Sequence, residues 1–364
     1  MYISLTQTFH FSYYHSLENL NKPYNMSLLE NVVWTISNLC RGTPPPAAST
    51  TGSIAYPLVS YLDKPISEGA TVDMLWALSY LSNGDDKRIE SVIATGVTNK
   101  LVCLLKDKKM KIKCKIPIVR ILGNFVSGTE SQTQTVIESG VLDILASLLG
   151  SSSKMIRKES SWLASNVACG NHRQITELMG RQKVLKQIII NSTEDLWDVR
   201  KESVWTLSNI CTSGNDMHVK SLVESGGVEP LVMLLALENA DTTLLISTID
   251  ALRRILTVGE LHEDADYKQQ IAEYNGIEHL EELQSHPSAT VYKKVVRIIE
   301  DYFGIENEED ENLAPMTSES GTFGFGLATP KQLFTNNFSA ESISESNSPA
   351  FPFGNLSTNT FYPV

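Results

Sequence analysis

Read at about 100° per residue, the stretch "ESVWTLSNIC" places Leu207 and Ile210, with Val199 and Ser203, on one helix face. Trp205 falls about 200° from Leu207, on the polar side. Glu202, three residues before it, and Asn209, four after it, share that side, so carboxylate, indole and carboxamide form one stripe opposite the packed face. The frame recurs. "NVVWTISNLC" carries Asn31, Trp34 and Asn38; "DMLWALSYLS" carries Asp73, Trp76 and Tyr80; "ESSWLASNVA" carries Glu159, Trp162 and Asn166, with Ser165 beside it. "IVRILGNFVSG" keeps the spacing with Arg120 in the tryptophan position and Asn124 in the asparagine position.

The tryptophan positions are 34, 76, 120, 162 and 205, in steps of 42, 44, 42 and 43 residues. A fixed period in that range predicts a helical solenoid of the armadillo or HEAT type, each unit burying its apolar face on its neighbours. Each stripe helix ends near a glycine ("CRGTPPP", "LSNGDD", "VSGTES", "ACGNHR", "CTSGND"). Apolar helices such as "GVLDILASLLGS" and "GVEPLVMLLAL" then follow a Gly-led turn. The expected unit is two main helices plus a short leading one, and the stripes of successive units line up on one surface. A solenoid of this kind is one cooperative body, so the 364 residues are not divided by the usual domain size.

Composition narrows the chemistry. The net charge of −12 counts against nucleic acid as the main ligand and favours a basic partner. Cys40, Cys103, Cys114, Cys169 and Cys211 are dispersed without a CxxC pair, which reads as buried thiols in a reducing compartment. No run is long and apolar enough to span a bilayer, and the first 24 residues lack the basic start and apolar run of a secretory signal. The expectation is a soluble intracellular protein with no membrane partner. Its histidines show no metal spacing, and neither a P-loop nor a GxSxG elbow is present, so no catalysis, cofactor or metal is expected. The lysine-rich "LLKDKKMKIKCK" could be an anion contact, an internal mimic of a basic peptide, or a solvated loop, which is the ordinary reading of such a run.

The stripe suits an extended basic peptide. A carboxamide can hold both the N–H and the C=O of a peptide backbone, whatever its sequence. Neighbouring indoles can flank the stem of a Lys or Arg and attract its charged head, and carboxylates at the slot ends select the cation. Helices packed about 8–10 Å apart and a strand rise of about 3.3 Å per residue give two to three ligand residues per repeat. A lone tryptophan at helical spacing is more often core. Four in one frame, each followed by Asn or Tyr four residues on, have no packing explanation. Trp197 lies outside the frame and is assigned to packing.

"VWTISNLCRGTPPP", "LWALSYLSNG", "RILGNFVSGTESQTQTVIESG", "KESSWLASNVACGN", "RKESVWTLSNICTSGN" and "LQSHPSATVYKKVVRIIEDYFG" resemble, in order, the fourth to tenth repeats of the importin alpha (karyopherin alpha) family, receptors for nuclear localisation signals. The resemblance implies an all-α fold, an armadillo-repeat right-handed superhelical solenoid over residues 27–304. It also implies a nuclear import adaptor that binds the Lys/Arg-rich signals of cargo proteins in a concave groove, in cytoplasm and nucleus. Of the family's major signal site only Asn31, Trp34 and Asn38 have counterparts. Asp73, Trp76 and Tyr80 match its linker repeat, and Arg120, Asn124, Glu159, Trp162, Ser165, Asn166, Glu202, Trp205 and Asn209 match its minor site. By resemblance, Arg120 interrupts the indole wall and binds acceptors or acidic groups, while the two glutamates attract the cargo cation.

The frame then loses its site chemistry: "LISTIDALRRILTVG" has Asp250 and Arg254 in the tryptophan and asparagine positions, though Leu245, Ile249, Leu252 and Leu256 still pack. This unit and the next read as capping repeats, which in the family contact the export receptor. The family's importin-beta-binding segment and about three repeats have no counterpart, which counts against direct importin beta binding. Residues 1–26 fit no repeat and read as a diverged capping helix or a gene-model artefact. Residues 305–364, acidic and then rich in Ser, Asn and Phe, are expected to form a disordered tail, and its "TFGFG" and "FPFG" are similar to nuclear-pore Phe-Gly units. The competing function is an armadillo scaffold or truncated relic that binds basic peptides without coupling to importin beta.

Overall fold

The computed structural model describes residues 26–42, 45–64, 66–237, 240–261 and 266–304, together with 316–317 and 323–324. The chain divides into two compact units, Met1–Gly304 and Ile305–Val364. The helices of the first unit are α1 (Met26–Cys40), α2 (Ala48–Tyr61), α3 (Glu68–Leu81), α4 (Asp86–Ile93), α5 (Val97–Lys106), α6 (Ile112–Val126), α7 (Glu130–Glu138), α8 (Leu142–Leu149) and α9 (Lys154–Ala168). There follow α10 (His172–Met179), α11 (Gln182–Glu194), α12 (Trp197–Ser213), α13 (Asp216–Glu224), α14 (Val228–Leu235), α15 (Thr242–Glu260), α16 (Tyr267–Glu273), α17 (Gly276–Glu282) and α18 (Ala289–Ile298).

The five stripe sequences are the long helices α1, α3, α6, α9 and α12, and each packs on the next, with α12 on α15 and α15 on α18. The unit differs in one respect from the expected two main helices and a leader. Around α7 and α8, and again around α13 and α14, both connecting helices are short, eight or nine residues, and only the stripe helix is long. The glycine-led turns are present: Gly96, Gly140 and Gly226 have φ of 75°, 80° and 89°, a region where any Cβ is strained.

The stack is held by an apolar interior and by polar staples of repeat-length span. Leu75, Ile118, Leu122, Phe125, Leu163, Leu207 and Ile210 are wholly buried, each contributing about 1.5–3 kcal/mol. Capping boxes start α7 (Thr129, Gln132), α10 (Asn171, Gln174) and α13 (Asn215, His218). The third helical residue, which closes each box, also reaches back one repeat. Gln132 Nε2 donates to Asp86 O at 3.0 Å, and Gln174 Nε2 to Glu130 O at 2.8 Å. His218 Nε2 lies 2.8 Å from Thr176 Oγ1, and since its Nδ1 accepts from the Asn215 N–H, Nε2 is the donor of the neutral ring. Arg157 ties α9 to the residue after α11 through two bonds to Asp195, 2.5 and 2.8 Å.

The solvated-loop reading of the lysine-rich stretch stands, and two other readings are revised. The lysine-rich stretch is a tight turn between α5 and α6, closed by Met110 N to Asp107 O at 3.2 Å and Lys109 N to Asp107 Oδ1 at 2.8 Å. Lys113 pairs with Glu68, and Lys115 Nζ bonds Leu105 O. A folded turn cannot present the extended backbone of a peptide mimic. Trp197 opens α12 and is 39% exposed, so it packs at the surface and not in the buried core. Cys40, Cys114 and Cys211 are buried, whereas Cys103 and Cys169 are exposed. No helix among the described residues is long and apolar enough to cross a membrane. In the second unit the described residues form one antiparallel pair, Met316 with Gly324 and Thr317 with Phe323. The expectations for residues 1–25 and for the rest of the tail lie outside the described residues.

Candidate peptide-binding site

Because α1, α3, α6, α9 and α12 stack side by side, the side chains of the frame fall into rows across repeats. Trp34 is 60% exposed and Asn31 is also exposed, whereas Trp76, Trp162 and Trp205 are half-buried. The stripe is therefore not the fully exposed face that helical projection alone implies. Trp162 lies against Gly123 and Arg120 of the preceding repeat, while Trp34 stands on the first described helix.

The carboxamides are corrected in the same sense. Asn124, Asn166 and Asn209 are buried, and the Nδ2 of each turns to the repeat before it. Asn124 Nδ2 donates to Ser79 O at 2.9 Å and to Ser82 Oγ at 3.0 Å; Asn166 Nδ2 lies 3.4 Å from Gly123 O; Asn209 Nδ2 donates to Ser165 O at 2.9 Å. Asn38 donates within its own helix, to Trp34 O at 2.9 Å. These bonds fix the amide plane. Among the described residues no donor meets Oδ1 of Asn166 or Asn209, which leaves an oriented acceptor for a ligand N–H. Tyr80, in the asparagine position of α3, instead stacks on Trp76 with ring centroids 5.9 Å apart. Burial raises its hydroxyl pKa, against the opposing pull of Arg41 and Arg120.

Arg120 is engaged with its neighbours. Its guanidinium bonds Glu159 at 2.5 Å and lies over the Trp162 ring, 5.2 Å from the centroid. Glu159 is only 2% exposed, which corrects its reading as a surface carboxylate. Burial raises its pKa, with Arg120 and Lys158 opposing. Glu202 is half-buried, and its carboxyl is pushed up to about 7 by burial, against Lys158 and Lys201. Asp73 is likewise raised by burial. A carboxylate short of solvent gains more from a nearby cation than a solvated one does.

Sequence reasoning singled out Ser165 but missed that the residue three after every tryptophan position is small: Ser37, Ser79, Gly123, Ser165 and Ser208. Their carbonyls at 79, 123 and 165 are the acceptors of the next repeat's asparagine. The signal was present in every quoted stretch. Beyond α12 the row closes on itself: Lys294 bonds Asp250 at 2.5 Å, and Arg254 pairs with Asp216.

Residues 129–169 match the armadillo/beta-catenin-like repeat, and residues 265–316 the atypical Arm repeat. The chain is 37% identical over 321 residues to importin subunit alpha-3 of Arabidopsis thaliana, covering 85% of this chain and 59% of that protein. It is 35% identical over 320 residues to importin subunit alpha-1a of Oryza sativa subsp. japonica, with the same coverage. The chain belongs to the importin alpha family. It spans about 59% of the length of these importin alpha relatives. Among solved structures, a designed armadillo repeat protein in complex with the peptide (KR)4 is 30% identical, with a TM-score of 0.59 over 68% of this chain and 98% of that one. An engineered protein at 23% identity shares the fold, with a TM-score of 0.67 over 79% of this chain.

The importin alpha frame thus comprises, on α6, α9 and α12, Arg120, Asn124, Glu159, Trp162, Ser165, Asn166, Glu202, Trp205 and Asn209 in three adjoining layers. Asn31, Trp34 and Asn38 on α1, and Asp73, Trp76 and Tyr80 on α3, stand in the two layers before them.

Proposed function

We propose that this importin alpha chain is a nuclear import adaptor that binds Lys/Arg-rich localisation signals of cargo proteins along the α6–α9–α12 rows, in cytoplasm and nucleus. One observation carries the reading. Trp162 and Trp205 stand in consecutive repeats, each accompanied by a buried, oriented carboxamide and by a carboxylate short of solvent. Such a set grips a peptide backbone without regard to sequence and prefers cationic side chains. The designed armadillo protein solved with (KR)4 supports the same ligand class. The α1 and α3 layers, with Trp34 exposed, are a second and weaker contact for the same peptide class. The capping helices α15 to α18 are the surface we assign to an export receptor.

The test is fluorescence anisotropy of a labelled Lys/Arg-rich peptide against wild type and Trp162→Ala/Trp205→Ala. Micromolar or tighter binding that the double variant loses supports the adaptor reading. A folded wild type that ignores the peptide overturns it.

A further inference from the structure

Gly123 lies in the interior of α6, where glycine weakens a helix relative to alanine. The four other frames have serine at this place. A Cβ built on Gly123 would stand 2.4 Å from Cζ3 and 2.6 Å from Cε3 of Trp162. Carbon atoms in contact sit about 3.5–4.0 Å apart, so the ring would have to retreat by about 1 Å to admit even a methyl group. The indole occupies the volume that a side chain takes in the other repeats. Its ring also carries the Arg120 guanidinium at 5.2 Å, and Arg120 in turn holds Glu159. The carbonyl of Gly123 is the acceptor nearest Asn166 Nδ2, at 3.4 Å.

We infer that Gly123 is the positioning residue of this layer: its missing side chain seats the Trp162 indole against α6, and its carbonyl orients Asn166. One backbone unit thereby sets how closely the Trp162 indole approaches α6, whereas the matching residue in the layer before Trp205 is Ser165, which carries a side chain. The consequence for peptides rests on the proposed function; the seat itself does not.

Both can be tested separately on the full chain. The protein labelled with 5-fluorotryptophan gives a fluorine resonance for each indole, assigned by Trp→Phe variants. In Gly123→Ala, without peptide, the Trp162 resonance is expected to move while those of Trp34, Trp76 and Trp205 stay. Anisotropy with a Lys/Arg-rich peptide should show about a tenfold weaker complex, the share of one partly desolvated cation–π contact. In a Trp162→Ala background Gly123→Ala should not weaken affinity and should leave the melting temperature unchanged or raise it, because the overlap is gone and alanine favours the helix. An unmoved Trp162 resonance overturns the seat. So does a loss that persists in the Trp162→Ala background, which would mean that the added methyl meets something other than the ring. If Gly123→Ala does not fold, Gly123→Ala/Trp162→Ala decides: recovery to the stability of Trp162→Ala supports the seat, and failure to recover overturns it. A wild type that binds no peptide overturns the proposed function and leaves the resonance arm intact.

Discussion

Glu202 makes peptide binding a proton-linked reaction. Burial lifts its carboxyl from 4.5 to about 7 in the empty site, so at neutral pH half of the molecules hold it neutral. A Lys or Arg head entering the slot favours the carboxylate, and binding then releases a proton. With one such group, the competent fraction is about 0.9 at pH 8, 0.5 at pH 7 and 0.1 at pH 6, so affinity should fall about tenfold from pH 8 to pH 6. The peptide's lysines and arginines stay charged throughout that window.

The assay is anisotropy across that window, with calorimetry at pH 7 in two buffers of different ionisation heat. About half a proton should be released per peptide, and Glu202→Gln should flatten the profile at the affinity of the protonated site. Stability should move in the opposite direction. A folded-state pKa above the unfolded value means that ionisation opposes folding, so stability falls as pH rises from about 4.5 through about 7, by at most roughly 3 kcal/mol. Glu202→Gln should therefore gain melting temperature over wild type across that interval and hold the gain above it. Affinity that is flat in wild type, or that rises as pH falls, refutes the reasoning.

The carboxamides should differ in their effect on folding. Asn209→Ala loses a 2.9 Å bond to Ser165 O and should cost about 1–3 kcal/mol, whereas Asn166→Ala loses only a 3.4 Å contact and should cost less; both should weaken peptide binding, and thermal melts with anisotropy separate the two effects. Arg157→Ala strands a largely buried Asp195 and frees the carbonyls of Ser151 and Ser152, so it should lower stability by about 3 kcal/mol in denaturant titrations without altering affinity in the still-folded protein. For Asp195, burial alone would raise the pKa, but the Arg157 bonds hold it below the usual carboxylate range, so its contribution to stability is present at neutral pH and is lost as pH falls through that lowered value. Trp197→Ala removes an exposed ring outside the rows and should leave affinity unchanged; a loss comparable to that of Trp205→Ala would place Trp197 in the site.

The parts of this molecule that could be read from the sequence are those that depend on one helix at a time. The 42- to 44-residue steps, the apolar faces of α6, α9 and α12, and the side on which Trp162 and Trp205 stand all follow from periodicity within a helix. What stayed hidden depends on how two helices are registered. Glu159 lies on the polar stripe by its own helix geometry, yet it is buried, because Arg120, 39 residues earlier, reaches over it from the neighbouring layer. Asn166 and Asn209 project from the same stripe and are buried because small residues at 123 and 165 let the next repeat come close enough for their amides to touch its backbone. Helical projection treats every position opposite the core as wet. In a stack of parallel helices the neighbour's backbone covers part of that face, and a small residue three places after each tryptophan marks how far. A row of small residues at repeat spacing therefore reports which stripe side chains are fastened to the neighbouring repeat, and where it changes from serine to glycine it reports a change in how deeply the adjoining ring sits. Trp162 is where that rule and the function meet, since its ring position is fixed by α6 while its open face is what a basic peptide would read.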